Sequence, residues 1–352
     1  MQTPHHIRPA NPRSAWTGRT LQDDGSWIFR LSADAVAEID AALRAVRAAG
    51  LSLNQVTADD FLLPKLSREL RRAARELEAG TGFVLIRGFP VDRYTEEEME
   101  IVFWGIGAHF GTPISQNAKG EKLARVQAEG GKVGQPNVRA YTTDSRLRFH
   151  SDDCDTIALC CLRPAREGGQ SSVVSAIAVY EEIRRLRPDY LPQLFEGFVY
   201  DLLGEERDGV GPVTERRIPV FSWHADMLSC RYSRNAINLA PQKSGVPLTP
   251  HEIEVLDFFD SIAERADLRF DLFLEPGDMQ FLNNHMVLHS RTAYSDFAEP
   301  HRRRCLLRLW LTTFDGRPLA PEFENRYGGA YSFRLGVPPS SRAGAAARNI
   351  AS

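Results

Sequence analysis

Residues 148–162 read RFHSDDCDTIALCCL, and the fold turns on how this stretch is taken. Its second half, TIALCCL, reads as a strand. Its first half sets an aromatic, Phe149, ahead of a histidine and a carboxylate two residues apart. Along a strand, residues two apart point to one face. His150 and Asp152 are therefore expected to project together. An imidazole and a carboxylate aimed at one point suit a metal ion or an acid–base couple.

Working outward, the same texture continues. VRAYTT (138–143) precedes the stretch, and GGQSSVVS (168–175), GFVYDLL (197–203), IPVFSW (218–223) and LSCRYS (228–233) follow it. FDLFLEPGD (270–278), MQFLNN (279–284), MVLHSRTAY (286–294) and CLLRLWLTTF (305–314) complete the set of short strand-like pieces, separated by Gly, Pro and polar residues. Helical patterns interrupt them at AIAVYEEIRRLRP (176–188) and LTPHEIEVLDFFDSIAERA (248–266). Many short strands with few helices predict a mainly β core flanked by helices, an α+β arrangement for which a jelly roll (double-stranded β-helix) fits the strand count.

Ahead of this core, residues 31–50 and 58–80 carry helical apolar spacing and each ends in Gly. TGFVLIRGFP (81–90) reads as a strand, and TEEEMEIVFWGIGAHFG (95–111) as a helix with Thr95 at its cap and acids in its first turn. Residues 1–30 are Pro-rich and polar and are expected to form a loose arm. One domain is expected over 31–337, with lid insertions at 115–147 and 204–216 and a disordered tail at 338–352. Within the lids, Gln116, Asn117, Asn137, Arg139 and Tyr141 are polar candidates to line a pocket.

Composition excludes several classes. The chain has 352 residues, of which 43% are hydrophobic and 25% charged, and a net charge of −3. That balance supports no nucleic-acid surface, and RELRRAAR (68–75) and the arginines at 302–304 read as solvated faces. No apolar run is long enough to span a bilayer, and the N-terminus lacks the apolar segment of a signal peptide. Cys154, Cys160, Cys161, Cys230 and Cys305 are odd in number and show no CxxC spacing, so neither a disulfide framework nor a zinc ribbon is expected. A reducing cytoplasm is the expected location. The expected partner is a small molecule, with no nucleic acid and no membrane; a homo-oligomer is left open.

A metal site needs a third ligand from another strand. The segment LEPGDMQFLNNHMVLHSRTAYSDFAEPHRRRCLLRLWL (274–311) offers His285 and His289. On its last strand Arg304 and Arg308 lie an even number of residues apart and so share a face. An arginine inside a β core needs an anionic partner, and a dicarboxylate would serve. Two His and one carboxylate with open positions is the arrangement of non-haem Fe(II) oxygenases, whereas zinc takes similar ligands in tetrahedral sites. Spacing does not separate the metals; the paired arginines favour an enzyme that also holds an organic acid.

At FHSD (149–152), GGQSSVVSAIAVYEEI (168–183), PGDMQFLNNHMVLHSRTAY (276–294) and RRRCLLRLWL (302–311), the chain resembles the Fe(II)/2-oxoglutarate-dependent dioxygenases of the taurine dioxygenase and clavaminate synthase type. TGFVLIRGFP is similar to that family's N-terminal strand, and the likeness runs over roughly residues 80–335. The resemblance implies iron ligation by His150, Asp152 and His289. It implies that Arg304, with Arg303 as fallback, binds the far carboxylate of 2-oxoglutarate, and that Arg308 lies near cosubstrate or substrate. The family's Thr/Ser after the Gly pair falls on Ser171, with Ser172 as rival, because the segment after Asp152 is shorter than usual.

The implied cofactors are Fe(II), 2-oxoglutarate and O2, and the implied reaction is hydroxylation of a small molecule with release of succinate and CO2. The resemblance also implies hydroxylation over halogenation, because Asp152 keeps the carboxylate that halogenases lack. Desaturation or cyclisation on the same ligands, a cupin-like non-oxidative metalloenzyme, and a non-catalytic binding protein are the alternatives. WHAD (223–226) repeats the His-x-Asp spacing with His224 and Asp226 and serves as an internal control. His285, Asp153 and Asp155 are expected near the site as polar residues rather than as ligands.

Overall fold

Alternation of side chains along the strands decides how the layers stack. The computed structural model describes residues 7–117, 119–130, 142–203, 211–314 and 316–324. In chain order the strands are β1 (Ile28–Arg30), β2 (Phe83–Arg87), β3 (Gly111–Ile114), β4 (Leu123–Val126) and β5 (Leu147–His150). They continue as β6 (Thr156–Arg163), β7 (Glu167–Gly168), β8 (Ser171–Ser175), β9 (Phe221–His224) and β10 (Met227–Cys230). The last are β11 (Phe270–Leu272), β12 (Met279–Asn283), β13 (Val287–Arg291), β14 (Tyr294–Ser295) and β15 (Cys305–Thr313). A 7-stranded sheet runs β1-β2-β12-β6-β15-β3, with β4 also pairing β15, and a 4-stranded sheet runs β11-β8-β13-β5.

Helices cover both outer faces. They are α1 (Gly18–Asp24), α2 (Ala33–Ala48), α3 (Leu66–Ala79), α4 (Glu96–Ala108), α5 (Ala176–Leu186), α6 (Leu191–Glu196), α7 (Arg234–Ser244), α8 (Pro250–Ala263) and α9 (Pro321–Glu324). On β15 the odd residues Leu307, Leu309 and Leu311 pack with Ala158, Cys160 and Phe281 against apolar residues of α2, α3 and α4. On the other sheet Val174 and Leu288 pack against Ile177, Tyr180, Leu256 and Phe259 of α5 and α8. The opposite parity faces inward: Phe83, Leu85, Ile157, Cys161, Leu306 and Trp310 meet Val173, Leu272 and Val287 between the two sheets. The period-2 rule thus sorts each strand into an outer, helix-covered face and an inner face. The inner face also carries the candidate site.

The N-terminal expectation is corrected. Residues 7–30 do not form a loose arm: β1 pairs in parallel with β2, Ile28 opposite Leu85. Thr17 and Thr20 form a capping box at the start of α1. Trp16, Leu21 and Trp27 are buried and join the inter-sheet cluster. The Trp27 ring stacks on Phe83 at 4.7 Å, while its indole N–H donates to the Leu21 carbonyl at 2.7 Å. Two buried tryptophans contribute on the order of several kcal/mol, enough to order a segment whose average composition is polar.

The helices expected from periodicity are present over 33–48, 66–79, 96–108, 176–186 and 250–263. GFVYDLL is not a strand; it makes only isolated bridges, Phe198 to Ile218 and Asp201 to Val213. WHAD is the turn of the β9–β10 hairpin, with Met227 opposite His224. Ala225 and Asp226 both take positive φ, 45° and 61°, as a two-residue hairpin turn requires. Asn137, Arg139, Tyr141, most of the 204–216 insertion and the tail at 338–352 lie outside the described residues.

Candidate metal centre

His150 ends β5 and His289 is the middle residue of β13, and the two are direct cross-strand partners. Their ring centroids stand 4.3 Å apart. Nδ1 of His150 is 2.8 Å from the Arg148 carbonyl. A carbonyl only accepts, so Nδ1 carries the proton and Nε2 presents its lone pair inward. That Nε2 lies 3.6 Å from Oδ1 of Asp152, and Nε2 of His289 lies 3.9 Å from Oδ2. One donor atom from each of the three residues falls within 4.8 Å of the others, and among the described residues no other His, Cys, Asp and Glu group does this.

The route to this convergence differs from the expected one. Asp152 is not on the strand; β5 stops at His150 and the chain bends. The bend is held by hydrogen bonds rather than by pleat. The Ser151 N–H donates to the Tyr232 carbonyl at 2.8 Å, and the Tyr232 N–H donates to Ser151 Oγ at 3.0 Å. The Asp152 N–H donates to Oδ1 of Asn284 at 2.9 Å. The Asp152 carboxylate is then fixed from the large sheet, where Nε1 of Trp310 donates to Oδ2 at 3.0 Å. Asn284 and Trp310 were invisible as site residues in the sequence, because they lie 132 and 158 positions away.

Electrostatics suits the donor set. Burial pushes the His289 imidazolium down to about 3, reinforced by His150 and Arg308 against the opposing pull of Asp152. Burial alone would raise the Asp152 carboxyl, but His289, Arg308, His150 and the Trp310 N–H outweigh it and hold it below its ordinary range. A neutral buried imidazole beside an ionised carboxylate is the protonation state a metal ion needs. Nδ1 of His289 is buried without a hydrogen-bond partner among the described residues. Two imidazole nitrogens and one carboxylate oxygen on one side, with the remaining directions open, fit a non-haem Fe(II) centre.

Near the triad, Leu306, Arg308 and Trp310 lie on the inner face of β15, and Arg304 stands just ahead of the strand with the same parity. Arg304 is buried and Arg303 is exposed, so strand register puts Arg304, not Arg303, inside. The Arg304 guanidinium stacks over Tyr294 at 5.1 Å, its Nη1 reaches the Val126 carbonyl at 3.5 Å, and burial lowers its pKa. A small cavity is lined by Arg304, Leu306, Cys161, Gly169 and Phe273. Gly169, at φ 70°, leaves this room open, since a Cβ there would stand 3.3 Å from Nε of Arg304.

Ser171 pairs with Arg291 across β8 and β13, and Val173 with His289. Ser171 therefore shares the inward face, and Ser172 has the other parity. Arg308 is buried and donates through Nε to Oε1 of Gln116 at 2.6 Å. Gln116 in turn donates to the carbonyls of Lys122 and Arg308, both at 2.8 Å.

The remaining candidates stand apart from the triad. His285 turns away and meets Asp155 at 3.2 Å, and Asp155 also accepts the Thr313 N–H. Asp153 pairs with the buried Arg231. His224 and Asp226 are exposed at the hairpin turn.

A family model described as taurine catabolism dioxygenase TauD, TfdA family, matches residues 47–310. FR-33289 synthase from Streptomyces rubellomurinus is 32% identical over 314 residues, 88% of this chain and 92% of that protein. Taurine hydroxylase-like protein SAT17 from Stachybotrys chartarum is 31% identical over 85% of this chain and 78% of its own. A uridine-5′-phosphate dioxygenase from a Streptomyces is 28% identical over 61% of this chain and 78% of its own. Among solved structures, asparagine oxygenase in complex with Fe(II), 3-hydroxyasparagine and succinate shares the fold. Its TM-score is 0.62 at 16% identity, over 82% of this chain and 94% of that one. No described helix is long and apolar enough to cross a membrane.

Proposed function

This chain belongs to the TauD, TfdA family of taurine catabolism dioxygenases, and from that premise we propose which residues do its chemistry. It is a 2-oxoglutarate-dependent non-haem iron dioxygenase. His150, Asp152 and His289 hold Fe(II). Arg304, with Ser171 beside it, binds the far carboxylate of 2-oxoglutarate, and Arg308 orients the substrate. The observation that carries this reading is the convergence of three donor atoms within 4.8 Å.

Bound Fe(II) supplies the oxidation: one O2 and one 2-oxoglutarate are consumed, succinate and CO2 are released, and an unactivated C–H of the substrate gains one oxygen atom. The protein's part is placement. The His150 Nδ1–H bond to a carbonyl fixes the tautomer, and Trp310 and Asn284 fix the carboxylate.

The substrate is a small acid, such as an amino acid or an acidic natural-product intermediate. Arg308 supports this, because a guanidinium buried beside the metal carboxylate and held by Gln116 favours an anionic group. The relative named for uridine-5′-phosphate also takes an anion. We read the two facing sheets as a jelly roll, a double-stranded β-helix, within one domain that takes in residues 7–30 as well as the segment that follows. Five cysteines without a disulfide support a cytoplasmic setting.

The test is a succinate assay with Fe(II), ascorbate and 2-oxoglutarate over a panel of amino acids and small phosphorylated or carboxylated acids. Substrate-dependent succinate with a product one oxygen heavier is expected. A product lacking two hydrogens would redirect the reading to a desaturase or cyclase. Loss of dependence on 2-oxoglutarate would overturn it.

A further inference from the structure

Arg291 is the third inward residue of β13, after Val287 and His289, and it is only 5% exposed. Its Nη2 donates to the Thr143 and Ser145 carbonyls, the former at 2.8 Å. Its Nε and Nη1 are buried and meet no acceptor among the described residues. No described carboxylate pairs with it, and Asp144 acts only at longer range. The guanidinium lies 4.7 Å from the centre of the Tyr294 ring, the ring over which Arg304 also stacks, at 5.1 Å. Across the sheet its partner is Ser171.

Two like charges are thus buried around one aromatic ring, and one of them has two N–H groups with no acceptor among the described residues. A buried guanidinium is costly unless an anion and hydrogen bonds satisfy it. A planar fork of donors suits a carboxylate. We propose that Arg291 is a second guanidinium contact for the distal carboxylate of 2-oxoglutarate, completing a pocket with Arg304 and Ser171. This rests on the cosubstrate placement given under Proposed function. Because Nη2 of the same side chain holds the Thr143 and Ser145 carbonyls, just ahead of β5, binding of the carboxylate also steadies the strand that presents His150.

The test is calorimetric titration of the Mn(II)-loaded protein, without O2, using 2-oxoglutarate and 2-oxobutanoate, which lacks the distal carboxylate. Arg291→Met is expected to raise the Kd for 2-oxoglutarate about 10- to 100-fold, as for a lost hydrogen bond to a charged group. The Kd for 2-oxobutanoate should stay within about 2-fold. Arg291→Lys, which keeps the charge and loses the fork, should fall between, and it carries the same test if the Met variant does not fold. An unchanged Kd for 2-oxoglutarate, or equal weakening of both acids, overturns the proposal and leaves Arg291 a structural staple. Arg304→Met separates the two readings. If it weakens 2-oxoglutarate selectively while Arg291→Met does not, only this inference fails. If Arg304→Met has no selective effect, the cosubstrate placement itself fails.

Discussion

The indole N–H of Trp310 donates to Oδ2 of Asp152 at 3.0 Å, joining the large sheet to a ligand that the small sheet's strand delivers. The bond ties down the oxygen that lies 3.9 Å from Nε2 of His289 and leaves Oδ1 3.6 Å from Nε2 of His150, so it fixes how the carboxylate is turned toward both imidazoles. Loss of an outer hydrogen bond of this kind costs about 10- to 100-fold in metal affinity. Trp310→Phe keeps the ring and removes the donor. Its Kd for Fe(II), or for Co(II) read by visible absorption, is expected to rise by that factor with the melting temperature nearly unchanged. Equal metal affinity in wild type and variant would remove Trp310 from the site.

The buried His289 makes the metal-free protein sensitive to acid. Its imidazolium is held down to about 3 against an ordinary 6.5, chiefly by burial. Between those values the unfolded chain binds a proton that the folded protein refuses. Stability is therefore complete above about pH 6.5 and drains as the pH falls through that window. The ceiling on this contribution is about 5 kcal/mol. Urea unfolding of the metal-free protein across this range should show the slope, and His289→Gln should flatten it. A variant with the wild-type slope would place the proton uptake elsewhere.

How much of this was legible from the sequence depends on how far apart the contacts lie. His150, Asp152 and His289 could be singled out by type, spacing and family likeness. The physical reason offered for the first pair was wrong, since Asp152 sits in a hydrogen-bonded bend and not on a strand face. That Arg304 and not Arg303 is buried followed from carrying the alternation of β15 back past its first residue, because strand parity is a local property. Asn284, Trp310 and Arg291 were beyond reach, since their partners are fixed by sheet register across more than a hundred residues. Residues 7–30 were misread for the opposite reason: Trp16, Leu21 and Trp27 are few, and an average over a polar stretch hides them.

That N-terminal segment has a measurable weight. Trp27 stacks on Phe83 and bonds to the Leu21 carbonyl, and β1 beside it extends the large sheet. Trp27→Ala is expected to cost about 3–5 kcal/mol in urea unfolding. A loss below about 1 kcal/mol would mean that the segment is merely laid against the core.

The repeated His-x-Asp at 223–226 gives a control that the ligand set must pass. His224 lies at a hairpin end with two positive-φ residues beyond it, and its side chain is exposed. His224→Ala should leave metal affinity unchanged, while His150→Ala should abolish it. A metal-binding loss in the first variant would call for a second centre.

Gln116 grips Arg308 from two sides, accepting from its Nε at 2.6 Å and donating to its backbone carbonyl at 2.8 Å. If Arg308 orients the acidic substrate, Gln116 sets the angle of its fork. Gln116→Leu leaves the charge in place and frees its orientation, a change worth about 1.5–3 kcal/mol for a hydrogen bond to a charged group. The expected result is a fall of about 10- to 100-fold in kcat/KM for the substrate, with the Kd for 2-oxoglutarate little altered. Succinate formed per substrate hydroxylated should rise, because a poorly aimed C–H lets cosubstrate turn over without product. If kcat/KM for substrate and the affinity for 2-oxoglutarate fall together, Gln116 and Arg308 serve the cosubstrate pocket instead, and the substrate's acidic group must be sought at another cation.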